Sequence, residues 1–417
     1  MTAPKDDYQR AAAEGESIPR PPDAPPPPPP FISADDALRA MIERWEKGPE
    51  PSFSTGLSQL DAVLSGGLRR KSFVTMTGAA KSGKTSLFDQ VTFDAVNLAE
   101  GRAFGLVLST EMTTDETIAR WIALSIFRAR LAQRTPDPLG FAGFGSIQTG
   151  EAWQHETTRT AVRLAAESMR GTLARLSVER LPPMSSVATV EERIKRARER
   201  WPDAVPIVFL DPLQRLRAAP VLGSNVDRMN EDETTRVSLV ATQVFDLAER
   251  QELIVLAACD TTKAGAVGAS SATGTRGSYV LNHAATTVLG FHRSADETDA
   301  APWEERFQGL AKRLAKEDGA AEGESPESLA PWIAARVPAQ LWEHPDAAQL
   351  GRRAVYLECS GNRAGPAKPC AFGSVPGAAC FAEARGESES MVDAYLRRAK
   401  PEKGAAPQRK AKFEGRR

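Results

Sequence analysis

The stretch that most constrains this chain is residues 77–85, T-G-A-A-K-S-G-K-T, which fits the pattern G-x-x-x-x-G-K-[ST]. An apolar, β-branched run at 72–76 predicts a strand before it, and residues 86–91 predict a helix after it. A glycine-bounded loop between a strand and a helix lets main-chain amides surround an anion, which the helix dipole also favours. This context favours a nucleoside triphosphate site over the alternative, a glycine turn with a chance lysine.

The side chains of this loop suit that ligand. Lys84 can place a positive charge against the β- and γ-phosphates, and the Thr85 hydroxyl is a suitable ligand for Mg²⁺. Gly78 and Gly83 allow the main chain to approach the anion closely. The predicted nucleotide-binding residues are Gly78, Ala79, Ala80, Lys81, Ser82, Gly83, Lys84, Thr85 and Ser86.

Two acidic residues follow later apolar runs. Glu111 comes after a predicted strand at 103–108, and Asp211 closes another at 205–210. Ligands of open α/β sheets bind at the carboxyl ends of parallel strands, so both carboxylates are candidates for the site. Asp211 is expected to hold Mg²⁺ together with Thr85. Glu111 has an alternative reading, a surface acid that caps the helix after it.

The alternation of strands and helices predicts an α/β fold, a mainly parallel twisted sheet with helices on both faces. Residues 128–204 read as mostly helical. Further strands are predicted at 253–258, 286–291 and 355–359. The predicted domains are a proline-rich disordered arm at 1–30, a linker helix at 31–50, a nucleotide-binding domain at 51–385 with an insertion at about 294–350, and a short helix with a basic disordered tail at 386–417.

Composition narrows the class of protein. The chain has 417 residues and a formal net charge of -1, so any attraction to nucleic acid must be local. Residues 397–417 form one such basic segment. No run reaches the roughly 20 apolar residues of a membrane span, and four cysteines without C-x-x-C spacing suggest reduced thiols in a cytoplasmic protein. The arm at 1–30 reads as either a stiff spacer or a docking tail.

Several motifs, in order, resemble the motor domain of DnaB-type hexameric replicative helicases, which are RecA-like P-loop ATPases. The motifs are S-T-G-L-S-Q-L-D with G-G-L, the phosphate loop, S-T-E-M, F-L-D-P-L-Q-R-L, T-R-G-S and G-N-R-A-G-P. The resemblance covers about residues 33–385 without the insertion, and does not include the family's helical N-terminal domain. The opening motifs alone would also fit the KaiC and RadA relatives.

The resemblance implies ATP and Mg²⁺ as cofactors and a catalytic role for Lys84, Glu111 and Arg363. Glu111 would orient and deprotonate the attacking water. Arg363 would stabilise the transition state on ATP bound by the next subunit, its alternative being a solvated loop arginine. Lys263 and Arg276 would contact single-stranded DNA. The implied partners are single-stranded DNA, a homo-oligomeric ring that is hexameric in this family, and other replication or loader proteins, with no membrane.

Two departures keep other functions open. Asp260 stands where the family has a glutamine that senses the γ-phosphate, and an acid there repels phosphate unless it is protonated or bridged by metal. Gly361 replaces a basic residue two positions before Arg363. The sequence is therefore consistent with a ring-forming translocase or helicase, with a RecA/KaiC-like ATPase that drives protein assembly or loading, or with a protein that binds nucleotide as a structural ligand.

Overall fold

The computed structural model describes residues 33–48, 50–133, 143–220, 225–226, 232–260, 283–293, 337, 341, 343–363 and 370–383. The chain divides into two compact units, residues 1–51 and 52–417. In the first unit, helix α1 spans Ala34–Glu46, and Ser33 caps it by accepting a hydrogen bond from the Asp36 amide. No residue of α1 is buried; Leu38, Ile42 and Trp45 are exposed large apolar side chains.

The second unit is built on one sheet of nine strands among the described residues. They are β1 Ser72–Gly78, β2 Ala103–Ser109, β3 Leu176–Arg180, β4 Val205–Asp211, β5 Ile254–Asp260, β6 Thr287–Arg293, β7 Arg353–Asn362, β8 Cys370–Val375 and β9 Cys380–Glu383. Their order is β3-β2-β4-β5-β1-β6-β7-β8-β9. In this order, the strands β3, β2, β4, β5, β1 and β6 run parallel to one another, whereas β7, β8 and β9 each run antiparallel to the strand before them.

Helices connect these strands. The described helices of this unit are α2 Ser58–Val63, α3 Lys84–Leu98, α4 Thr114–Gln133, α5 Phe144–Gln148, α6 Glu156–Leu173, α7 Val187–Arg200, α8 Glu233–Gln251 and α9 Pro345–Leu350. Among these described helices, none is long and apolar enough to cross a membrane.

Alternating residues of the parallel strands enter two different cores. In β5, Ile254, Leu256 and Ala258 belong to a cluster that includes apolar residues of α3. The intervening residues Val255 and Ala257 join the other cluster, which includes residues of α7 and α8. Because strand side chains alternate between the faces of a sheet, these memberships place helices on both sides of it. The predicted α/β fold is therefore confirmed.

The strand predicted at 355–359 lies within β7, but its antiparallel direction and the strands β8 and β9 were not predicted. A third core cluster joins Leu124 and Phe127 of α4 to β7, β8 and β9, and it includes Val337 and Leu341. The described end of the segment predicted as an insertion thus packs into this core. The prediction also missed β3, within the stretch read as helical. This edge strand has four half-buried residues and one exposed residue, and it lacks a continuous apolar run.

The outermost strand, β9, is held by a side chain of α3. Gln90, which is 1% exposed, donates its Nε2 to the Phe381 carbonyl at 3.1 Å. Its Oε1 accepts from the Phe381 amide at 2.8 Å. The Gln90 amide group therefore takes both main-chain groups of Phe381, as a neighbouring strand would.

Candidate active site

The register of the sheet brings predicted site residues together at the carboxyl ends of the parallel strands. Gly78, the last residue of β1, is paired with Asp260 on one side and Phe291 on the other. Ser109 at the end of β2 is paired with Asp211 at the end of β4. The carboxyl ends of four parallel strands and the loop at 79–83 therefore lie together, where open α/β sheets bind ligands.

The phosphate loop is tightly wrapped. A Cβ on Gly78 would lie 2.9 Å from the carbonyl oxygen of Phe291, a separation that real Cβ atoms do not adopt. Gly83 is the N-cap of α3 and has a φ of 113°, in the region that favours glycine. Ser82 is 5% exposed, and its Oγ has no hydrogen-bond partner in the described structure. A buried, unsatisfied hydroxyl beside a helix N-terminus fits a loop built to receive an anion.

Lys84 is held over this loop. Its ammonium group donates to the carbonyls of Gly78 at 3.0 Å and Ala79 at 2.7 Å, and to Asp260 Oδ1 at 2.9 Å. The Lys84 side chain is 5% exposed, whereas that of Asp260 is 45% exposed. The charge of the lysine is thus already paired before any phosphate arrives.

Thr85 and Asp211 form a pair of hard oxygen donors. Thr85 Oγ1 donates to Asp211 Oδ1 at 3.1 Å, and Ser109 Oγ lies 3.5 Å from Asp211 Oδ2. Burial raises the pKa of Asp211 to about 6, although the hydrogen bond from Thr85 opposes this. Mg²⁺ commonly takes one or two protein oxygens and completes its shell with water and phosphate, so these residues fit it.

Glu111 lies just beyond β2, with its side chain half exposed. Its amide donates to Ser109 Oγ at 3.2 Å, and its Oε1 accepts from Arg215 Nε at 3.3 Å. The helix cap that was its alternative role is filled by other residues. Thr113 and Glu116 bond reciprocally: the Glu116 amide donates to Thr113 Oγ1, and the Thr113 amide donates to Glu116 Oε2. The Glu111 carboxylate is therefore not used as the helix cap, and it lies beyond the carboxyl end of β2, paired with Arg215.

The family of this site follows from comparison with known proteins. The family model of the DnaB-like helicase C-terminal domain matches residues 52–267, just over half of the chain. The chain belongs to the DnaB-like helicase C-terminal domain family. The resemblance to DnaB-type helicases inferred from the motifs is thus confirmed, and the family makes the chain a helicase-type ATPase. A search of curated proteins finds no match.

Two solved structures share the fold of this DnaB-like domain. One, described as an ATPase domain, matches with a TM-score of 0.55 and 15% identity, over 84% of this chain and 98% of that one. The other, described as a DnaB-like replicative helicase and its interactions with primase, matches with a TM-score of 0.56 and 15% identity, over 90% of this chain and 70% of that one. At this identity the likeness establishes the fold alone.

Arg363 lies far from the phosphate loop of its own DnaB-like domain. Its amide donates to the carbonyl of Thr286, which is five residues before Phe291, the partner of Gly78. Five residues of strand span about 17 Å, which is longer than an arginine side chain. Arg363 is exposed near the amino ends of β1 and β6, at the end of the sheet opposite the phosphate loop, and its guanidinium carbon lies 5.3 Å from the ring centroid of Phe245 on α8. The geometry of the sheet therefore separates it from the other site residues.

Sequence reasoning missed the neighbours of these residues. Gln214 and Arg215 stand in the F-L-D-P-L-Q-R-L motif, but no role was assigned to them. Gln214 Nε2 donates to the Asp260 carbonyl at 3.0 Å. On α3, Asp89 pairs with Arg120 at 2.9 Å, and burial raises the pKa of Asp89 to about 7. The signal for Asp89 in the sequence was an acidic side chain at a helix position that is buried.

Lys263 and Arg276 lie outside the described residues, so their predicted role stays a prediction.

A cleft of about 430 Å³ at the amino ends of the parallel strands is not a competing site for the nucleotide. Arg198 and Arg250 line it from the last turns of α7 and α8, where the helix dipole favours positive charge. Arg70, also in its lining, is paired with Glu252 at 3.2 Å. Two helix C-termini facing one cleft disfavour an anion there, and these arginines are explained by the helix ends.

Proposed function

We propose that this DnaB-like domain hydrolyses ATP as a subunit of a homo-oligomeric ring, hexameric as in the family it resembles, and that the cycle drives movement along DNA or its unwinding. One observation carries the proposal. The residues that would bind a triphosphate lie at the carboxyl ends of the parallel strands, whereas Arg363 lies near their amino ends. A site that uses both needs two subunits.

The residues of one subunit divide the work. Lys84 and the amides at the start of α3 bind the β- and γ-phosphates. Thr85 and Asp211 would hold Mg²⁺, which neutralises charge on the phosphates. Glu111 orients the attacking water and accepts its proton, for which its half-exposed carboxylate is suitably placed. Arg363 of the adjacent subunit then stabilises charge on the transferred phosphoryl group.

Helix α1 supports assembly through a second contact. Its apolar side chains Leu38, Ile42 and Trp45 are exposed on a helix too short to be stable alone. A groove of about 480 Å³ runs between α4 and α6, and its lining includes Ile126 and Leu164. We propose that α1 of one copy occupies this groove on another. Trp45→Ser and Leu164→Asp should each lower the mass of the assembly in solution, whereas the exposed variant Glu167→Gln should not.

The decisive experiment combines solution mass with ATP turnover, with and without single-stranded DNA. We expect an assembly larger than the monomer and turnover that rises with DNA. Glu111→Gln should keep ATP binding and abolish turnover, because only the water-activating group is lost. Mixing Arg363→Ala subunits with wild type should reduce turnover more than in proportion. A monomer that is fully active at every concentration would contradict the proposal.

A second function is favoured by one observation, the pair between Asp260 and Lys84. The family's glutamine at this position reports the γ-phosphate, and an aspartate bonded to the lysine changes that signal. The alternative is a RecA/KaiC-like ATPase that drives protein assembly or loading. Displacement of a labelled strand by the purified protein would exclude it. Turnover that does not respond to DNA would favour it. The predicted contacts of Lys263 and Arg276 with DNA belong to the first function only.

A further inference from the structure

The main chain that carries Arg363 is firmly held. Its amide donates to the Thr286 carbonyl at 2.9 Å. The preceding residue, Asn362, is paired with Thr287 across the ladder between β6 and β7. The side chain of Asn362 donates its Nδ2 to the Val63 carbonyl at 2.6 Å. The position from which the Arg363 side chain starts is therefore fixed to the sheet.

The guanidinium group of Arg363 has one described contact, with an aromatic ring. It lies over Phe245 at 5.3 Å from the centroid. No described residue accepts a hydrogen bond from it or forms an ion pair with it at the distances that define those contacts. A cation over a ring leaves the N–H groups at its rim able to donate. The side chain is therefore ordered without using the donors that a phosphate would need.

Phe245 is itself a fixed platform. It lies on α8, half buried, and packs against the core cluster on that face of the sheet. Leu239, on the same helix, packs in the same way against the same cluster. Neighbouring residues of α8, Val240 and Val244, are fully buried. The ring cannot follow the arginine freely, so it restricts where the guanidinium lies.

We propose that Phe245 is a positioning residue for Arg363, and that it presents the guanidinium to the triphosphate of the adjacent subunit. The inference rests on the proposed function, because Arg363 cannot reach a triphosphate bound by its own subunit. An arginine that is free in solvent must lose rotamer freedom each time it engages a phosphate. A ring that restricts it beforehand removes part of that cost in every catalytic cycle.

The test compares variants of Phe245 in two backgrounds. Phe245→Leu keeps an apolar side chain but removes the ring, and it should lower kcat for ATP hydrolysis about two- to fivefold, the range of an exposed cation–π contact. The KM for ATP should not change. Phe245→Trp should restore most of the rate. Leu239→Ala is the matched control: it removes packing from the same helix and cluster, and should leave kcat unchanged.

The second background is Arg363→Ala, with residual hydrolysis followed by single-turnover assay. If Phe245 acts through Arg363, Phe245→Leu has no further effect there; an equal loss in both backgrounds would mean a structural role and overturn the inference. Wild-type kcat in Phe245→Leu, while Arg363→Ala is impaired, would also overturn it and leave the proposed function standing. Wild-type turnover in Arg363→Ala would contradict both the action of Arg363 in trans and the positioning role of Phe245.

Discussion

Replacing Asp260 with asparagine should tighten ATP binding. The substitution keeps the size of the side chain but removes a negative charge 2.9 Å from the ammonium group of Lys84. That ammonium group also contacts the carbonyls of Gly78 and Ala79, so it stays over the loop when the carboxylate is gone. A phosphate then meets a lysine that is not already neutralised.

The size of the effect follows from the geometry. If a phosphate replaces one of the two carbonyls on Lys84, the phosphate and Asp260 are two anions on one ammonium nitrogen, and at about 2.9 Å each and a tetrahedral angle they are about 5 Å apart. Two unit charges at that separation repel by about 0.8 kcal/mol in water and about 3.3 kcal/mol at an effective dielectric constant of 20. Since the Asp260 side chain is 45% exposed, we expect a value between these limits. An intermediate of about 1–2 kcal/mol corresponds to roughly 5- to 30-fold tighter binding.

The assay is equilibrium binding of fluorescent ATP and ADP analogues in the Glu111→Gln background, where hydrolysis does not interfere. The gain should be larger for ATP than for ADP, because ATP carries more negative charge. Asp260→Glu, which keeps the charge, should bind ATP nearly as the wild type does. Asp203→Asn is the matched control. It removes the same charge just before the start of β4, at the amino ends of the strands and away from the phosphate loop.

Unchanged or weaker ATP binding by Asp260→Asn would refute this reasoning. Unchanged affinity would mean that the carboxylate moves away from Lys84 at no cost when the nucleotide binds. Weaker affinity would mean that the negative charge of Asp260 contributes to binding, through a bridging metal ion. Equal tightening in Asp203→Asn would show that overall charge, and not the Lys84 pair, controls affinity.

Three further predictions address the metal, the core and the tail. Because burial raises the pKa of Asp211 to about 6, protons should compete with Mg²⁺ for its carboxylate. ATPase activity should therefore fall as the pH drops through about 6, and the midpoint of this fall should move to lower pH as the Mg²⁺ concentration increases. The measurement is a set of pH–rate profiles at several Mg²⁺ concentrations. The buried Arg128 donates two hydrogen bonds to the Asp94 carboxylate, at 2.6 and 2.7 Å. Asp94→Ala removes both and should lower the free energy of unfolding, measured in urea, by about 3–5 kcal/mol. The control Arg39→Ala, at an exposed ion pair, should change it by less than about 1 kcal/mol. Deletion of residues 397–417, with nine Lys and Arg against two Glu, should flatten the salt dependence of DNA binding; an unchanged slope would mean that the tail makes no phosphate contacts.

The parallel part of the fold could be predicted because its signals are local. Each predicted strand is an apolar run, and the loop at 77–85 has a pattern of its own. Strand β3 could not be found in this way, since its five residues are half buried or exposed and lack such a run. Strand β7 was predicted at 355–359, but its antiparallel direction was not, because direction depends on pairing with distant strands; β8 and β9 were missed because nothing in the sequence between them gives a clear hairpin signal.

The candidate site was predictable in its residues but not in its contacts. Strand ends in an α/β sheet converge by rule, which is why Asp211 could be placed beside Thr85. The pairing of Asp260 with Lys84 could not be foreseen, because it depends on the direction of a side chain 176 positions away. The same holds for Arg215 beside Glu111 and for the ring of Phe245 under Arg363.

The attachment of Gln90 to Phe381 limits how copies of this chain can join. An open strand edge is a template on which another chain can continue the sheet, and proteins that must not aggregate cover such edges. At β9 the outward-facing groups of Phe381 are already occupied by Gln90. A neighbouring copy therefore cannot extend the sheet at Phe381, and at this point any contact between copies would use side chains or helices, which can loosen and re-form without unravelling the sheet.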